Sequence, residues 1–101
     1  MNRVWIAILA TVCFSNLALA NEKLAGAKNC LGCHAVGTQV VGPSFKDVAK
    51  KYKGNNEAAT TLAAKIRAGG GGVWGAIPMP ANPQVSEAEA KKLTSWILGL
   101  K

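Results

Sequence analysis

The segment Cys30-Leu31-Gly32-Cys33-His34 is the feature that most restricts what this chain can fold into. Two thiols at positions i and i+3, followed by an imidazole at i+4, lie on adjacent positions of a helical turn, so all three side chains can face one side. Such a turn can hold one group at three points. The rest of the fold must therefore leave room beside residues 30–34.

Covalent haem attachment is the chemistry that this spacing fits best, because each sulfur can form a thioether with a porphyrin vinyl group while His34 binds the iron. Three other uses of the motif compete with it. A structural zinc site needs four ligands, and residues 21–101 offer one CxxC pair and one histidine. A thioredoxin-like pair expects a strand–helix–strand unit, which is not readable here, and a Cys30–Cys33 disulfide would be strained and would leave His34 without a role.

The first twenty residues are typical of a signal peptide that is removed on export. Arg3 supplies the positive start, residues 4–14 are apolar, and Ala18-Leu19-Ala20 places small residues around a cleavage point after Ala20. A membrane anchor would need about 20 apolar residues. A lipoprotein signal would place Gly or Ala before Cys13, where Val12 stands. We therefore expect an exported domain formed by residues 21–101.

A domain of this size has a thin hydrophobic core and is usually stabilised by disulfides, a metal or a cofactor. Residues 21–101 contain 11 basic and 5 acidic side chains, and this excess of positive charge favours acidic partners. Nucleic acid is disfavoured as a partner, because the segment has no reader motif and only four aromatic residues.

Four short helices and no strands are predicted for the domain. They cover residues 21–29, residues 44–52, residues 56–68 and a last segment that begins at Ser86. Ser86 and Glu89 form a capping box, and Leu93, Trp96 and Leu100 then recur at helical spacing.

Residues 69–85 are rich in Gly and Pro and form a predicted loop. Gly69–Gly72 either serve as a flexible connector or let the backbone pass close to a flat ligand. Met79 lies between two prolines, which fix the backbone on both sides. A lone Met is often a core gap-filler. Here, however, Met79 is the only thioether and His34 the only histidine of residues 21–101, which makes Met79 the candidate sixth ligand of a His34-bound iron.

Four segments carry a family resemblance: CLGCH, VGPSFKDVAKKY, GVWGAIPMPAN and the C-terminal amphipathic helix with Trp96. In them the chain resembles a class I cytochrome c of the small bacterial monohaem type, over residues 22–101. The resemblance implies an all-α fold in which about four short helices wrap around one covalent haem c. It also implies that the first and last helices cross near Gly26 and Trp96, and that the protein donates electrons to periplasmic reductases or oxidases.

The resemblance further implies contacts around the haem. Three hydrogen bonds are expected: from His34 to the Pro43 carbonyl, from Trp74 to a haem propionate, and from Asn82 to the Met79 sulfur. Lys65 is a weaker candidate for a second propionate contact. Ala25 departs from the family pattern, since relatives often carry a large apolar side chain there, and we expect looser packing behind the haem.

Apolar residues near the ligand-bearing segments are expected to surround an exposed haem edge: Leu31, Val40, Val41, Ala76, Ile77 and Ala81. Six lysines either rim this patch or form ordinary solvated surface: Lys23, Lys28, Lys46, Lys50, Lys51 and Lys53. Partners would be periplasmic donors and acceptors with acidic faces, such as a reductase, a peroxidase or a terminal oxidase. The protein would be a monomer without stable membrane insertion.

Three classes of function stay open at this point. An iron with two protein ligands leaves no position for substrate, so a one-electron carrier is favoured over an enzyme. A haem enzyme or gas-sensing domain with a labile sixth ligand is the second class, and a thiol redox protein is the third.

Overall fold

The computed structural model describes residues 15–101, with side chains from residue 21 onward. Four α-helices and one 3-10 turn make up this part of the chain: α1 at Ser15–Ala27, the turn at Cys30–Gly32, α2 at Phe45–Lys51, α3 at Ala58–Ala68 and α4 at Glu87–Leu98. No strand occurs within residues 15–101. The predicted all-α class with four short helices is confirmed.

Helix α1 differs most from its prediction. It begins at Ser15, continues through the predicted cleavage point at Ala20, and ends at Ala27, two residues earlier than expected. The end is explained by Asn29, whose φ of 66° places it in the left-handed region that stops a helix. Residues 1–14 lie outside the described part of the chain, so the signal peptide stays a prediction.

Helices α2 and α4 begin where a serine side chain satisfies a free N–H group of the first turn, whereas α3 has no side-chain cap. Ser44 Oγ accepts from the Asp47 N–H at 3.1 Å and starts α2. Asn55 Oδ1 accepts from the Glu57 N–H at 2.9 Å just before α3, which begins two residues later than predicted. The predicted capping box at the start of α4 is present, with Ser86 and Glu89 each accepting from the other's backbone.

Helix α4 is the centre of the fold, because it packs against α1, α2 and α3. Two buried apolar clusters lie along it. One contains Ala25, Ala63, Ile66, Val85, Ala90 and Leu93; the other contains Phe45, Val48, Ala58, Leu62 and Ile97. Cys30 and Trp96 are partly buried and touch both clusters, so the cysteine-bearing turn is anchored directly on the core.

The contact between the first and last helices runs through residues beside the predicted Gly26. Leu24 and Ala25 enter the cluster with Ala90 and Leu93, whereas Gly26 itself is exposed. Ala25 is fully buried, so its small side chain does not open the core to solvent. Among the helices of residues 15–101, none combines the length and the apolar character that crossing a membrane requires.

Candidate haem site

A cleft of about 340 Å³ is lined by residues of α2, α3 and α4 and by two loop segments. Side chains from α3 and α4 line its back, including Leu62, Ile66 and Leu93. Most of the other lining residues come from two segments, which we call the His34 wall, within residues 30–45, and the Met79 wall, within residues 70–80. Both candidate iron ligands therefore border the same space.

The two cysteines enter the His34 wall from the 3-10 turn. Cys30 is half-buried and Cys33 is exposed, and the two are free thiols in the structure. Burial raises the pKa of the Cys30 thiol, and a backbone hydrogen bond offsets this only in part. Reactive redox thiols have a lowered pKa, so the environment of Cys30 is opposite to that of a thioredoxin-like nucleophile.

The His34 imidazole is fixed by two contacts. Its Nδ1 lies 2.7 Å from the Pro43 carbonyl oxygen, which is the hydrogen bond that the family resemblance implied. Its ring stacks on Phe45 with the centroids 5.1 Å apart. With Nδ1–H donating to a carbonyl, Nε2 keeps its lone pair and is the atom available to a metal.

Gly42 makes this position of His34 possible. A Cβ at residue 42 would lie 2.5 Å from His34 Cε1 and 2.9 Å from Nδ1, closer than two such atoms can approach. The Gly42 N–H donates to the Cys33 carbonyl at 2.7 Å, which ties residue 42 to the end of the cysteine motif. Sequence reasoning missed Gly42 and Phe45, although both flank the Pro43 that it did identify.

The Met79 wall is held by backbone contacts at glycines. Gly70 and Met79 exchange two hydrogen bonds, at 2.7 and 3.0 Å. Gly69 has a φ of 75°, and a Cβ there would lie 2.6 Å from the Met79 carbonyl oxygen. Gly69 and Gly70 therefore permit a close approach of backbone to backbone. Gly70, Gly71 and Gly72 also line the cleft, and their close approach to a flat ligand stays a prediction.

Asn82 does not make the expected hydrogen bond to the Met79 sulfur. Its Nδ2 donates instead to the carbonyl oxygens of Ile66, at 2.9 Å, and Pro80, at 3.3 Å. The Asn82 N–H also donates to the Arg67 carbonyl at 3.2 Å. Asn82 thereby satisfies two carbonyls in the last turn of α3 that would otherwise lack partners, which explains its orientation.

The two predicted propionate contacts both border the cleft. Trp74 is 45% exposed, and the Lys51 Nζ lies 5.3 Å from the centroid of its ring, within range of a cation–π contact. Lys65 is half-buried, with its Cε beside Gly70. Both residues line the cleft, and their contacts with the propionates stay a prediction.

The residues of the cleft fit a haem. Thr94 is 99% buried in the back wall, and its Oγ1 has no hydrogen-bond partner within the described residues, as expected of a wall that faces a ligand. An imidazole, a thioether and two thiols are the donor set that haem c uses. Among the described side chains, those of residues 21–101, no three His, Cys, Asp or Glu group as ligands of one ion.

The predicted apolar patch divides into two parts. Val41, Ala76 and Ile77 line the cleft, and Ile77 is 69% exposed. Leu31, Val40 and Ala81 are exposed but do not line it. One of the six predicted rim lysines, Lys28, is engaged elsewhere, in an ion pair with Glu89 at 3.2 Å.

This chain belongs to the cytochrome c family, whose family model, described as Cytochrome c, matches residues 20–101. It is 48% identical over 103 residues to cytochrome c-552 of Nitrosomonas europaea, an alignment that covers all of both chains. It is 60% identical over 77 residues to cytochrome c-551 of Azotobacter vinelandii, covering 76% of this chain and 93% of the relative. The crystal structure of the wild-type Nitrosomonas europaea cytochrome c552 superimposes with a TM-score of 0.77 at 56% identity, covering 79% of this chain and 99% of that one.

These relationships define the class of protein. The chain is a small class I monohaem cytochrome c that carries one covalent haem c. Its general role is that of a haem electron carrier, as in the cytochromes c-551 and c-552 that it resembles.

Proposed function

We propose that this protein is a periplasmic one-electron carrier whose haem iron is held by His34 and Met79. The observation that supports the proposal is that these two side chains line the same cleft. Residues 21–101 contain no second histidine and no second methionine, so no other imidazole or thioether of the domain competes for the iron.

The two ligands would have different tasks. The Pro43 carbonyl holds His34 in the tautomer whose Nε2 faces the metal, and Phe45 keeps the ring from turning. The soft thioether of Met79 would favour the ferrous state and raise the reduction potential of a bound haem. With both positions filled, the iron has no open site for a substrate, which supports a carrier over an enzyme.

Cys30 and Cys33 would hold the haem through thioether bonds, and the haem would supply the exchangeable electron. The chain's own residues would exclude water from its inner edge: Leu62, Ile66 and Leu93 are buried behind the cleft. A wall of this kind has a low local dielectric constant and disfavours the extra charge of the ferric state. Trp74 and Lys65 would meet the propionates.

Export to the periplasm is supported by the sequence of residues 1–20, with Arg3 before an apolar run and small residues at Ala18 and Ala20. The family model begins at residue 20, next to the proposed cleavage point. After cleavage the domain keeps a surplus of six positive charges, which suits encounter with acidic partner proteins.

Docking would use the apolar side chains at the mouth of the cleft, Val41, Ala76 and Ile77, with lysines supplying long-range attraction. Partners of this kind would include a reductase, a peroxidase or a terminal oxidase. Lysine attraction acts over a Debye length, whereas apolar contact acts only on touching. Measuring the transfer rate at several salt concentrations therefore distinguishes lysine attraction from apolar contact.

The test is stopped-flow oxidation of the reduced protein by a periplasmic reductase or terminal oxidase across a salt series. We expect the rate to fall as salt rises, and Lys51→Gln to weaken this dependence more than the charge-matched Lys91→Gln. Ile77→Asp should slow transfer at every salt concentration, whereas Val40→Asp, at an exposed residue outside the cleft, should slow it less. A rate that is flat or rises with salt would contradict the lysine contribution.

A further inference from the structure

A chain of hydrogen bonds connects the end of α1 to the segment that carries Met79. Gln84 Nε2 uses both of its N–H groups, donating to the Lys28 carbonyl at 3.1 Å and to Asn82 Oδ1 at 3.2 Å. Lys28 Nζ donates back to the Gln84 carbonyl at 3.1 Å. Gln84 and Lys28 are 56 residues apart in sequence, so these bonds join two distant parts of the chain.

The Lys28 end of this chain of bonds is fixed to α4. Lys28 Nζ lies 3.2 Å from Glu89 Oε2, and Glu89 Oε1 accepts from the Ser86 N–H at 3.0 Å. Glu89 therefore takes part in the capping box of α4 and also pairs with Lys28. The Lys28–Glu89 pair therefore anchors the chain of hydrogen bonds to two helices that pack together in the core, α1 and α4.

The other end reaches the neighbour of Met79. Asn82, whose Oδ1 accepts from Gln84, donates to the carbonyls of Ile66 and Pro80. Pro80 directly follows Met79 in sequence. The hydrogen bonds thus run without a break from α1 and α4, through Gln84 and Asn82, to the backbone beside Met79.

We propose that Gln84 is a positioning residue for Met79, and that together with Lys28 it sets how readily the thioether leaves the iron. The inference rests on the proposed function, in which Met79 is the sixth ligand. Gln84 does not touch the haem cleft and acts only through Asn82 and the Pro80 backbone.

Few other contacts within the chain hold the Met79 wall. Met79 packs against the core cluster that contains Ala25 and Leu93, but it is only partly buried. On the N-terminal side of Met79, the Gly70 pair fixes the backbone. On the C-terminal side, the bonds of Asn82 and Gln84 have that role, and their loss would raise the population in which Met79 has left the iron.

An added ligand measures that population directly. Imidazole binds the ferric iron only where Met79 has dissociated, so its apparent affinity is proportional to the open fraction. We expect Gln84→Ala to tighten apparent imidazole binding by roughly threefold to tenfold, the range expected for the loss of two solvent-accessible hydrogen bonds. Gln84→Met keeps the side-chain length without the amide and should behave in the same way.

Lysine variants provide a matched control. Lys28→Ala removes an ion pair with Glu89, and Lys91→Ala removes an exposed ion pair with Glu87 on the same helix, at 3.7 Å. Lys28→Ala should tighten imidazole binding, and Lys91→Ala should leave it unchanged. In the double variant Gln84→Ala/Lys28→Ala, the increase in apparent imidazole affinity should be smaller than the product of the two single-variant increases. Both substitutions act on the same chain of hydrogen bonds.

The outcomes separate this inference from the function on which it rests. If the wild-type ferric protein lacks the near-infrared charge-transfer band of a Met–iron bond, the proposed ligation fails and the inference fails with it. If the wild type has the band and Gln84→Ala lowers the unfolding temperature while imidazole affinity stays unchanged, Gln84 is only structural and the inference alone is overturned. Equal tightening by Lys28→Ala and Lys91→Ala would also overturn it.

Discussion

The His34 wall and the Met79 wall of the cleft are held in place by different kinds of contact. His34 is fixed by a short hydrogen bond to Pro43 and by stacking on Phe45, which is itself 4% exposed and packs edge-on against Trp96. Met79 is held by a backbone pair with Gly70 and by the polar side chains of Asn82 and Gln84 near the surface. Met79 also packs against the core cluster that contains Ala25 and Leu93, but the backbone around it depends more on hydrogen bonds near solvent than the backbone around His34 does.

This difference predicts which ligand is labile. Buried apolar contacts are lost only when the fold opens, whereas hydrogen bonds near solvent exchange with water at low cost. We therefore expect His34 to stay on the iron under conditions in which Met79 comes off. The asymmetry also means that changes at the two walls should have separable effects.

Removal of the labile ligand should have the largest effect. Met79→Ala takes away the thioether, so water or a lysine can occupy the sixth position. We expect the reduction potential to fall by on the order of 0.1–0.3 V, within the roughly 0.8 V that axial ligands span. Spectroelectrochemistry measures the potential, and an unchanged near-infrared charge-transfer band in the ferric variant would show that Met79 is not the ligand.

Crowding the rigid wall should have the next largest effect. A Cβ at Gly42 would collide with the His34 ring, so Gly42→Ala should lower the free energy of unfolding of the holoprotein by about 1–3 kcal/mol. Gly37→Ala is the matched control, because its Cβ would meet nothing closer than Lys46 Cδ at 3.9 Å. Thermal unfolding compares the two, and equal stability of the two variants would refute the proposed packing of Gly42 on His34.

A smaller effect is expected where a tether of the Met79 wall is cut. Asn82→Ala removes two donations to carbonyls and should cost about 1–2 kcal/mol of stability, with a fall in potential smaller than that of Met79→Ala. Asn55→Ala removes an asparagine that bonds the backbone at the other end of α3. It should lower stability with no change in potential. A shift in potential as large for Asn55→Ala would contradict a specific role of Asn82.

The smallest expected effect is the pH dependence of the stability that the Lys28–Glu89 pair contributes, which anchors the end of α1 to α4. The pKa of the Glu89 carboxyl is lowered, first by the Ser86 N–H and then by Lys28. A lowered pKa in the folded state stabilises the protein above the pKa of the unfolded state, and this contribution is lost as pH falls through the folded value. The stability difference between wild type and Glu89→Gln should therefore shrink on acidification below about pH 4.

Thermal unfolding at several pH values measures this difference. Glu87→Gln disrupts the exposed pair with Lys91 and should lower stability less than Glu89→Gln does at neutral pH. A Glu89→Gln penalty that stays constant from neutral to acid pH would show that the Glu89 carboxylate is not what stabilises the anchor.

The sequence allowed prediction of features with a local signal. The capping box at Ser86, the cysteine motif and the α2 start at Ser44 depend on residues a few positions apart, and the structure agrees with them. Helix α1 begins at Ser15 in the full chain, upstream of the predicted cleavage point at Ala20, so the predicted start of this helix in the processed chain stays a prediction.

Contacts between distant residues could not be predicted in this way. The Gln84–Lys28 bonds join positions 56 apart, and Asn82 turns toward α3 because the last carbonyls of that helix lack partners. Gly42 is a partial exception: a glycine before Pro43, eight residues after His34, is a signal of close approach that the motif analysis left unused.

The most direct test of the account is a redox titration of the purified processed protein, followed in the visible and near-infrared. Ligation of the haem iron by His34 and Met79 predicts a low-spin six-coordinate ferric spectrum. Its Met–iron charge-transfer band should disappear in a single reversible one-electron step. A five-coordinate high-spin spectrum would contradict it and favour a haem enzyme or gas-sensing domain, and a protein without haem bands would leave only a thiol redox function.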